Sequence, residues 1–559
     1  MSASVIQEEA GRVDIGHTEL DPITVEVISH AVSSIVEEMG ETLVKASYSN
    51  NIKERRDCST ALFDAQGRTL AQAEHIPIHL GSLMGIVDEI LRRYDVADIH
   101  EGDSFIGNDA YTGGGTHLPD IVIATPIFFD GQIVGWTSNL AHHADFVDRG
   151  GQHIFQEGLR IPPIKFQENG IINQDILDFI LLNCQLPDER RGDLRAQAAA
   201  NRLGVVRFQG LCAKYGVDMV RATGEALLDY AERQTRAGIL RIPDGTYTFS
   251  DKLDSTGLDE ILDMHVAITV KGDEMWLDFA DNPAQVPGGL NMVYTALLAT
   301  VYYAVKTVID PEILPNAGLY RPIHVSAPEG TIVNCVPPAG VAGRTTTCQR
   351  VVDLILGAFS EAMPDRVIAA CNGENSGLNF HGIDPRTGQF YYYMESMGGG
   401  FGARATKDGL DGVQVHITNT SNLPVECLEV EHPLLVERYE LVDDSGGPGT
   451  WRGGMGIHRR VRVLDHEAVS GKGGTRELTA PWGLFGGKEG GRMEITSSAG
   501  EPINGRYWQL KPGDAVSMKT PGSGGYGPPE LRDRDLVRRD LREGRISEQV
   551  AREVYGLVD

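Results

Sequence analysis

Cysteine is sparse and unpaired in this sequence: seven residues in 559, with no CxxC pair, leave no framework for a zinc ribbon, a dithiol redox centre or a disulfide scaffold. Cys58, Cys184, Cys212, Cys335, Cys348, Cys371 and Cys427 are scattered and odd in number, as buried thiols in a reducing compartment would be. Positive charge is also in deficit, with 50 Lys and Arg against 78 Asp and Glu and a formal net charge of −28. So acidic a surface repels a phosphate backbone, and no basic cluster with interleaved aromatics offsets it, which argues against nucleic acid as a partner. Long apolar runs are lacking too. The longest, 290–309, contains Asn291, three threonines, three tyrosines and Lys306, a costly content for a membrane span, so a buried core helix is expected. The opening MSASVIQEEAGRVD has neither the basic nor the apolar region of a secretory signal, and a cytoplasmic protein away from the membrane is the expectation.

Familiar catalytic and nucleotide motifs are missing as well: GxxxxGK[ST], HExxH, GxSxG and a strand-GxGxxG-helix unit do not occur. SGKGGT at 470–475 lacks the phosphate-loop spacing, and the glycine run at 397–402 reads as a turn. The chain is therefore not expected to bind ATP by itself. What is abundant is glycine, 66 residues, well above the average of about 7%. A length of 559 residues exceeds a single core, which stops growing at about 250–300 residues, so several domains are expected.

Periodicity predicts a multi-domain α+β protein. Ile28, Val32, Ile35, Val36, Met39 and Leu43 recur at helical spacing after an Asp21-Pro22 start signal, predicting an opening amphipathic helix. Consecutive helices are expected over 188–239 with a break at Gly216, and strands over 247–279. Glycine clusters such as SGGPGTWRGGMG and TPGSGGYGPP separate short strands beyond residue 426. The predicted division is a metal-binding region at 20–240, a middle α/β region at 241–425, a β-rich domain at 426–529 and a charged helical tail at 530–559, suited to docking.

Two hairpins in the first 145 residues gather the chemistry. CSTALFD and RTLAQAE flank a short Ala-Gln-Gly loop, and IVIATPIFF and QIVGWTSNL flank Asp130-Gly131, a strong two-residue turn signal. If Phe129 pairs with Gln132, paired positions sum to 261 and His142 lies opposite Pro119, so His117 and His142 become same-face neighbours. Strict pleating places Asp120 on the other face with His143, but Pro119 marks an irregular ladder end, and the ladder does not choose between His142 and His143. In the first hairpin Asp57 falls opposite Glu74 or His75. A set of two imidazoles and two carboxylates suits Zn2+ or Mn2+, which activate water or polarise a carbonyl. Taken singly, His75, His79, His143 and His153 read as structural.

The segments DPITVEVISHAVSSIVEEMGETLVKASYSNNIKERRDCSTALFDAQGRTLAQAEHIPIHLGSL, GDSFIGNDAYTGGGTHLPDI, PNAGLYRPI, SGGPGTWRGGMGIHRR and TPGSGGYG resemble the hydantoinase B/oxoprolinase family, in its order, from about residue 21 to 529. The resemblance implies a B-type subunit of an ATP-dependent cyclic amide hydrolase, acting on a hydantoin, lactam or 5-oxoproline. It also implies a hydantoinase A-type partner that holds ATP with Mg2+, the pair forming a dimer of heterodimers. The family's metal positions, an aspartate, an HxxD pair and a later histidine, fall on Asp57, His117, Asp120 and His142, which favours His142 over His143. Asp57 and Asp120 are the expected catalytic carboxylates, Asp57 as ligand or general base. A ketone carboxylase subunit and a noncatalytic scaffold are the alternatives.

Overall fold

The computed structural model describes residues 20–73, 75–144, 151–255, 258 and 260–558. Helix α1 (Pro22–Ala46) starts where the sequence predicts, its N-cap Asp21 accepting from the Thr24 N–H, and buries Ile28, Val32, Ile35, Val36, Met39 and Leu43. It covers a seven-stranded sheet of order β2-β1-β5-β4-β3-β6-β7. The strands are β1 (Cys58–Asp64), β2 (Thr69–Gln72), β3 (Ser104–Gly107), β4 (Asp120–Phe129), β5 (Gln132–His142), β6 (Ile164–Glu168) and β7 (Ile171–Ile172). The short helix α2 (His79–Leu83) lies between β2 and β3.

The β4–β5 hairpin turns at Asp130 and Gly131, both with positive φ, as an Asp-Gly two-residue turn requires. Its register departs from strict pairing. Phe129 faces Gln132 and Phe128 faces Ile133, but Ile127 faces Gly135, so Val134 is an extra residue in a β-bulge. Val134 packs instead with Phe129 and Val205 in the cluster beneath α1. From the bulge onward every pair is displaced by one, and Asp120, not Pro119, stands opposite His142. The expectation that pleating would separate Asp120 from His142 is thus corrected: cross-strand partners share a face.

Helices α3 (Pro187–Tyr215) and α4 (Val217–Ile239) are separated by Gly216 at φ +82°. α3 crosses β4 and β5 and is tied to them by buried amides. Asn139 donates to the Gln197 carbonyl and to Asn201 Oδ1, Gln197 Nε2 donates to the Ile121 carbonyl, and Asn201 Nδ2 donates to that of Ile123. A second sheet, β11-β10-β9-β8, is built from β8 (Gly245–Leu253), β9 (Leu262–Lys271), β10 (Glu274–Asp278) and β11 (Ile323–Ser326). The apolar run forms helix α5 (Tyr294–Ile309), buried as expected, beside α6 (Arg344–Ala358). One hydrophobic core runs through Ile121, Ile123 and Phe166 of the first sheet, Val266 and Ile268 of the second, and Leu297 and Val352 of the helices. The two parts expected as separate regions, on either side of residue 240, therefore share their interior.

The remaining strands form two four-stranded sheets, β13-β12-β16-β18 and β14-β15-β19-β17, around a second core that includes Phe380, Val461 and Met518. They are β12 (Ser376–Ile383), β13 (Phe390–Met397), β14 (Leu434–Leu441), β15 (Ile457–Val463), β16 (Ala468–Gly473), β17 (Glu494–Thr496), β18 (Tyr507–Leu510) and β19 (Ala515–Lys519). Because β12 pairs with both β13 and β16, the β-rich part recruits strands from before residue 426. Glycine loops interlock there: a Cβ on Gly402 would overlap the Ala369 carbonyl oxygen. The charged tail folds as α7 (Arg534–Arg542) and α8 (Glu548–Glu553) around Val537 and Tyr555, and buried Arg532 pairs with both Asp408 and Asp540. Among the described residues no helix is long and apolar enough to cross a membrane.

Candidate metal centre

The rims of the two hairpins meet at one end of the first sheet. The Asp57 carbonyl just before β1 accepts from the His142 N–H at 2.9 Å, which fixes the end of β5 against the start of β1. Asp120 opens β4 and His142 closes β5. His117 reaches them from a loop in which Gly113, Gly114 and Gly115 all have positive φ. A Cβ on Gly115 would crowd the Asp120, Asn108 and His117 carbonyl oxygens at 3.0–3.2 Å, so this approach requires glycine.

His117 Nε2 lies 3.0 Å from Asp120 Oδ1, and the His117 and His142 rings are 5.0 Å apart between centroids. One donor atom from each of His117, Asp120 and His142 lies within 4.8 Å of the other two, and all three residues are buried. The Nδ1 atoms of His117 and His142 are buried without a protein hydrogen-bond partner. Burial pushes the His117 imidazole down to about 4, with the Arg344 charge adding to it, so the ring is neutral at pH 7. Burial would raise the Asp120 carboxyl, but the neighbouring His117 and Arg344 outweigh it and hold the group well below the usual carboxylate range. Two buried imidazoles, each with a nitrogen lacking a protein partner, beside an ionised carboxylate are the donor set a divalent ion takes, so the residues fit one.

Asp57 stands beside this trio and meets it through an imidazole that sequence reasoning assigned to structure. His79, the first residue of α2, is 2% exposed, and its Nδ1 is 2.9 Å from Ser59 Oγ. Its Nε2 lies 3.4 Å from Asp57 Oδ1 and 4.0 Å from Asp120 Oδ1, so it stands between the two carboxylates. The residue expected there, His75, packs instead against α1, where a Cβ on Gly40 would touch its Cε1. Glu74 lies outside the described residues. His143 points away from the trio to Gln197 Oε1 at 2.9 Å, and His153 bridges the backbone of Ala339.

A second residue without a sequence signal is Arg344, the first residue of α6. Its guanidinium, 3% exposed, donates from Nη2 to Asp120 Oδ2 and from Nε to Thr116 Oγ1, each at 2.9 Å. Ser82 Oγ adds a 3.2 Å hydrogen bond to the same carboxylate oxygen. Asp120 Oδ2 is thereby engaged by the protein, and Oδ1 faces the imidazoles. The loop before α6 is held by Glu157 Oε1, which accepts from the Val341 and Ala342 N–H groups at 2.8 and 3.0 Å.

Comparison with known proteins gives this geometry a family. The chain is 32% identical to a putative D-/L-hydantoinase B-type subunit of a Pseudomonas species, over 97% of this chain and 96% of that one. It superposes on the crystal structure of the ATP-dependent caprolactamase from Pseudomonas jessenii with a TM-score of 0.89 at 32% identity, covering 97% of each chain. The nucleotide-free acetone carboxylase structure has the same fold, with a TM-score of 0.87 at 20% identity over 97% of this chain and 80% of that one. Residues 21–529 match the hydantoinase B/oxoprolinase family, and the chain belongs to it.

Proposed function

We propose that this chain is the metal-holding B-type subunit of a two-component, ATP-dependent cyclic amide hydrolase, and that His117, Asp120 and His142 hold a Zn2+ or Mn2+ ion with Asp57 beside it. The observation that carries this reading is the buried trio with unpartnered imidazole nitrogens beside an ionised carboxylate. Such an ion supplies Lewis acidity to a water or carbonyl oxygen. The likeness to a caprolactamase and to a hydantoinase favours amide opening over ketone carboxylation, since the carboxylase likeness, at 20% identity, concerns the fold.

A lactam or hydantoin carbonyl is a poor electrophile because of amide resonance. An A-type partner carrying ATP and Mg2+ removes that barrier by phosphorylating the amide oxygen. Asp57 takes the proton of the water that adds to the phosphorylated carbon, the ring C–N bond then breaks with nitrogen leaving as the amine, and hydrolysis of the remaining acyl phosphate releases phosphate and the carboxylate; His79, 3.4 Å away and backed by Ser59, orients the Asp57 carboxylate. Arg344 and Ser82 keep Asp120 from rotating during the attack. The assembly proposed, from the family resemblance, is a dimer of A/B heterodimers in the cytoplasm.

The test is coexpression with the A-type partner and a screen of hydantoins, lactams and 5-oxoproline for coupled ATP consumption and ring opening, with bicarbonate and ketones as the carboxylation arm. Purified chain is expected to carry near-stoichiometric Zn or Mn by elemental analysis, reduced by one equivalent in His117→Ala and His142→Ala. Unchanged metal content in both variants would overturn the ligand assignment.

A further inference from the structure

A second group of metal-binding side chains lies in the interior, formed by Asp353 of α6, Cys371 and His416. The three come from separate segments, are 0%, 0% and 5% exposed, and bring one donor atom each within 4.8 Å of the others. The arrangement repeats that of the first centre. His416 Nε2 lies 3.1 Å from Asp353 Oδ1, as His117 Nε2 lies 3.0 Å from Asp120 Oδ1. Arg476 Nη2 approaches Asp353 Oδ2 at 3.5 Å, on the side of the carboxylate that Arg344 occupies at Asp120.

We propose that Asp353, Cys371 and His416 form a second, buried three-donor site for a borderline divalent cation of the zinc class, structural in role. Thiolate, imidazole and carboxylate are the donors such an ion prefers over Mg2+ or Ca2+. Backbone donors fix both groups: the Gly402 N–H donates to Cys371 Sγ at 3.2 Å, and the Cys371 N–H donates to Asp353 Oδ1 at 3.1 Å, while burial and the Asp353 charge push the thiol well up, so that an ion must displace its proton. His416 is held at φ +48°, a conformation costly for a residue with a Cβ, between the rings of Tyr303 and Phe401. Gln349 Nε2 donates to the carbonyl of Val415 and keeps that segment against α6.

The thiol proton leaves to water as the ion binds during folding. Asp353 follows Arg344 by nine residues, about 14 Å along one helix, so an ion here would anchor the helix that positions Arg344.

The sulfur makes the two sites separable by experiment. Full-length chain is produced in zinc-supplemented and in cobalt-supplemented minimal medium and analysed for metal content and absorption. The expected result is two ions per chain, one retained by His117→Ala and one by Cys371→Ala. A thiolate-to-cobalt charge-transfer band should be present in the parent chain and in His117→Ala, and absent in Cys371→Ala. The parent spectrum needs no variant, so a folding defect in Cys371→Ala does not leave the matter open. A cobalt-loaded parent chain without that band would overturn the proposal. Failure of the first centre alone would read differently: one ion per chain, unaffected by His117→Ala and lost in Cys371→Ala.

Discussion

Arg344 touches Asp120 across 224 residues of sequence, and its two hydrogen bonds use the planar fork that lysine lacks. Arg344→Lys keeps the charge but is expected to weaken metal retention or turnover by about 10–100-fold, the usual loss on removing an outer partner of a ligand. Chelator dialysis followed by elemental analysis, together with kcat, measures it. Glu374 yields a pH prediction of another kind. It is 2% exposed and hydrogen-bonded by Ser376 Oγ and the Thr475 N–H, and burial pushes its carboxyl from 4.5 up to about 8. A raised folded-state value means that its contribution to stability is full below about pH 4.5 and is lost as pH rises through about 8. Glu374→Gln, which imitates the protonated group, should flatten the stability–pH profile in that window, as read by urea unfolding at a series of pH values. The predicted hairpin brought His117 and His142 to one face but left His142 and His143 open and put Asp120 on the other face by strict pleating, and the family resemblance supplied the set of His117, Asp120 and His142. His79 and Arg344 were accessible to neither, since each meets Asp120 through packing that no local spacing encodes.

The β4–β5 hairpin was predictable from Asp130-Gly131, whereas its bulge was not, because Val134 packs against the cluster beneath α1, a tertiary contact that the turn residues do not encode. That displacement by one residue is what puts Asp120 opposite His142. Helix α3 supports the same two strands from behind through Gln197, which is 0% exposed and engages the Ile121 carbonyl, Asn139 and His143 together. Gln197→Leu fills the volume but strands these groups in the core, each at a cost of roughly 1–3 kcal/mol. A loss of about 3 kcal/mol is expected in chemical denaturation. Metal content should be retained under native conditions, separating support of the strands from ligation.

With no phosphate loop in its sequence, the isolated chain is expected to show neither ATP hydrolysis nor tight ATP binding by calorimetry. In the proposed reaction a reactive O-phosphorylated amide formed on one subunit must reach the other before bulk water destroys it, which calls for a persistent interface between them. Coexpression with the A-type partner should therefore yield a stable equimolar complex. Asp120→Ala is expected to abolish ring opening and leave that complex intact in size-exclusion chromatography with light scattering. Asp120 is wholly buried, so its loss alters the centre without altering a surface.

Short-range pattern carried much of this molecule: the amphipathic period of α1, the apolar run of α5, the glycine break between α3 and α4, and the Asp-Gly turn all follow from preferences of neighbouring residues. The α+β class was accessible from such patterns too, and the family from the likeness of whole segments such as GDSFIGNDAYTGGGTHLPDI to its members. Long-range packing settled the rest. It merged the first two sheets around one core and drew β12 and β13 into the C-terminal sheets. It placed His79 between Asp57 and Asp120, and brought Arg344 to Asp120 from the end of a helix in the middle of the chain. The physical reason is that burial free energy depends on which surfaces meet in space, and a buried charge is tolerable only where distant segments supply its partners.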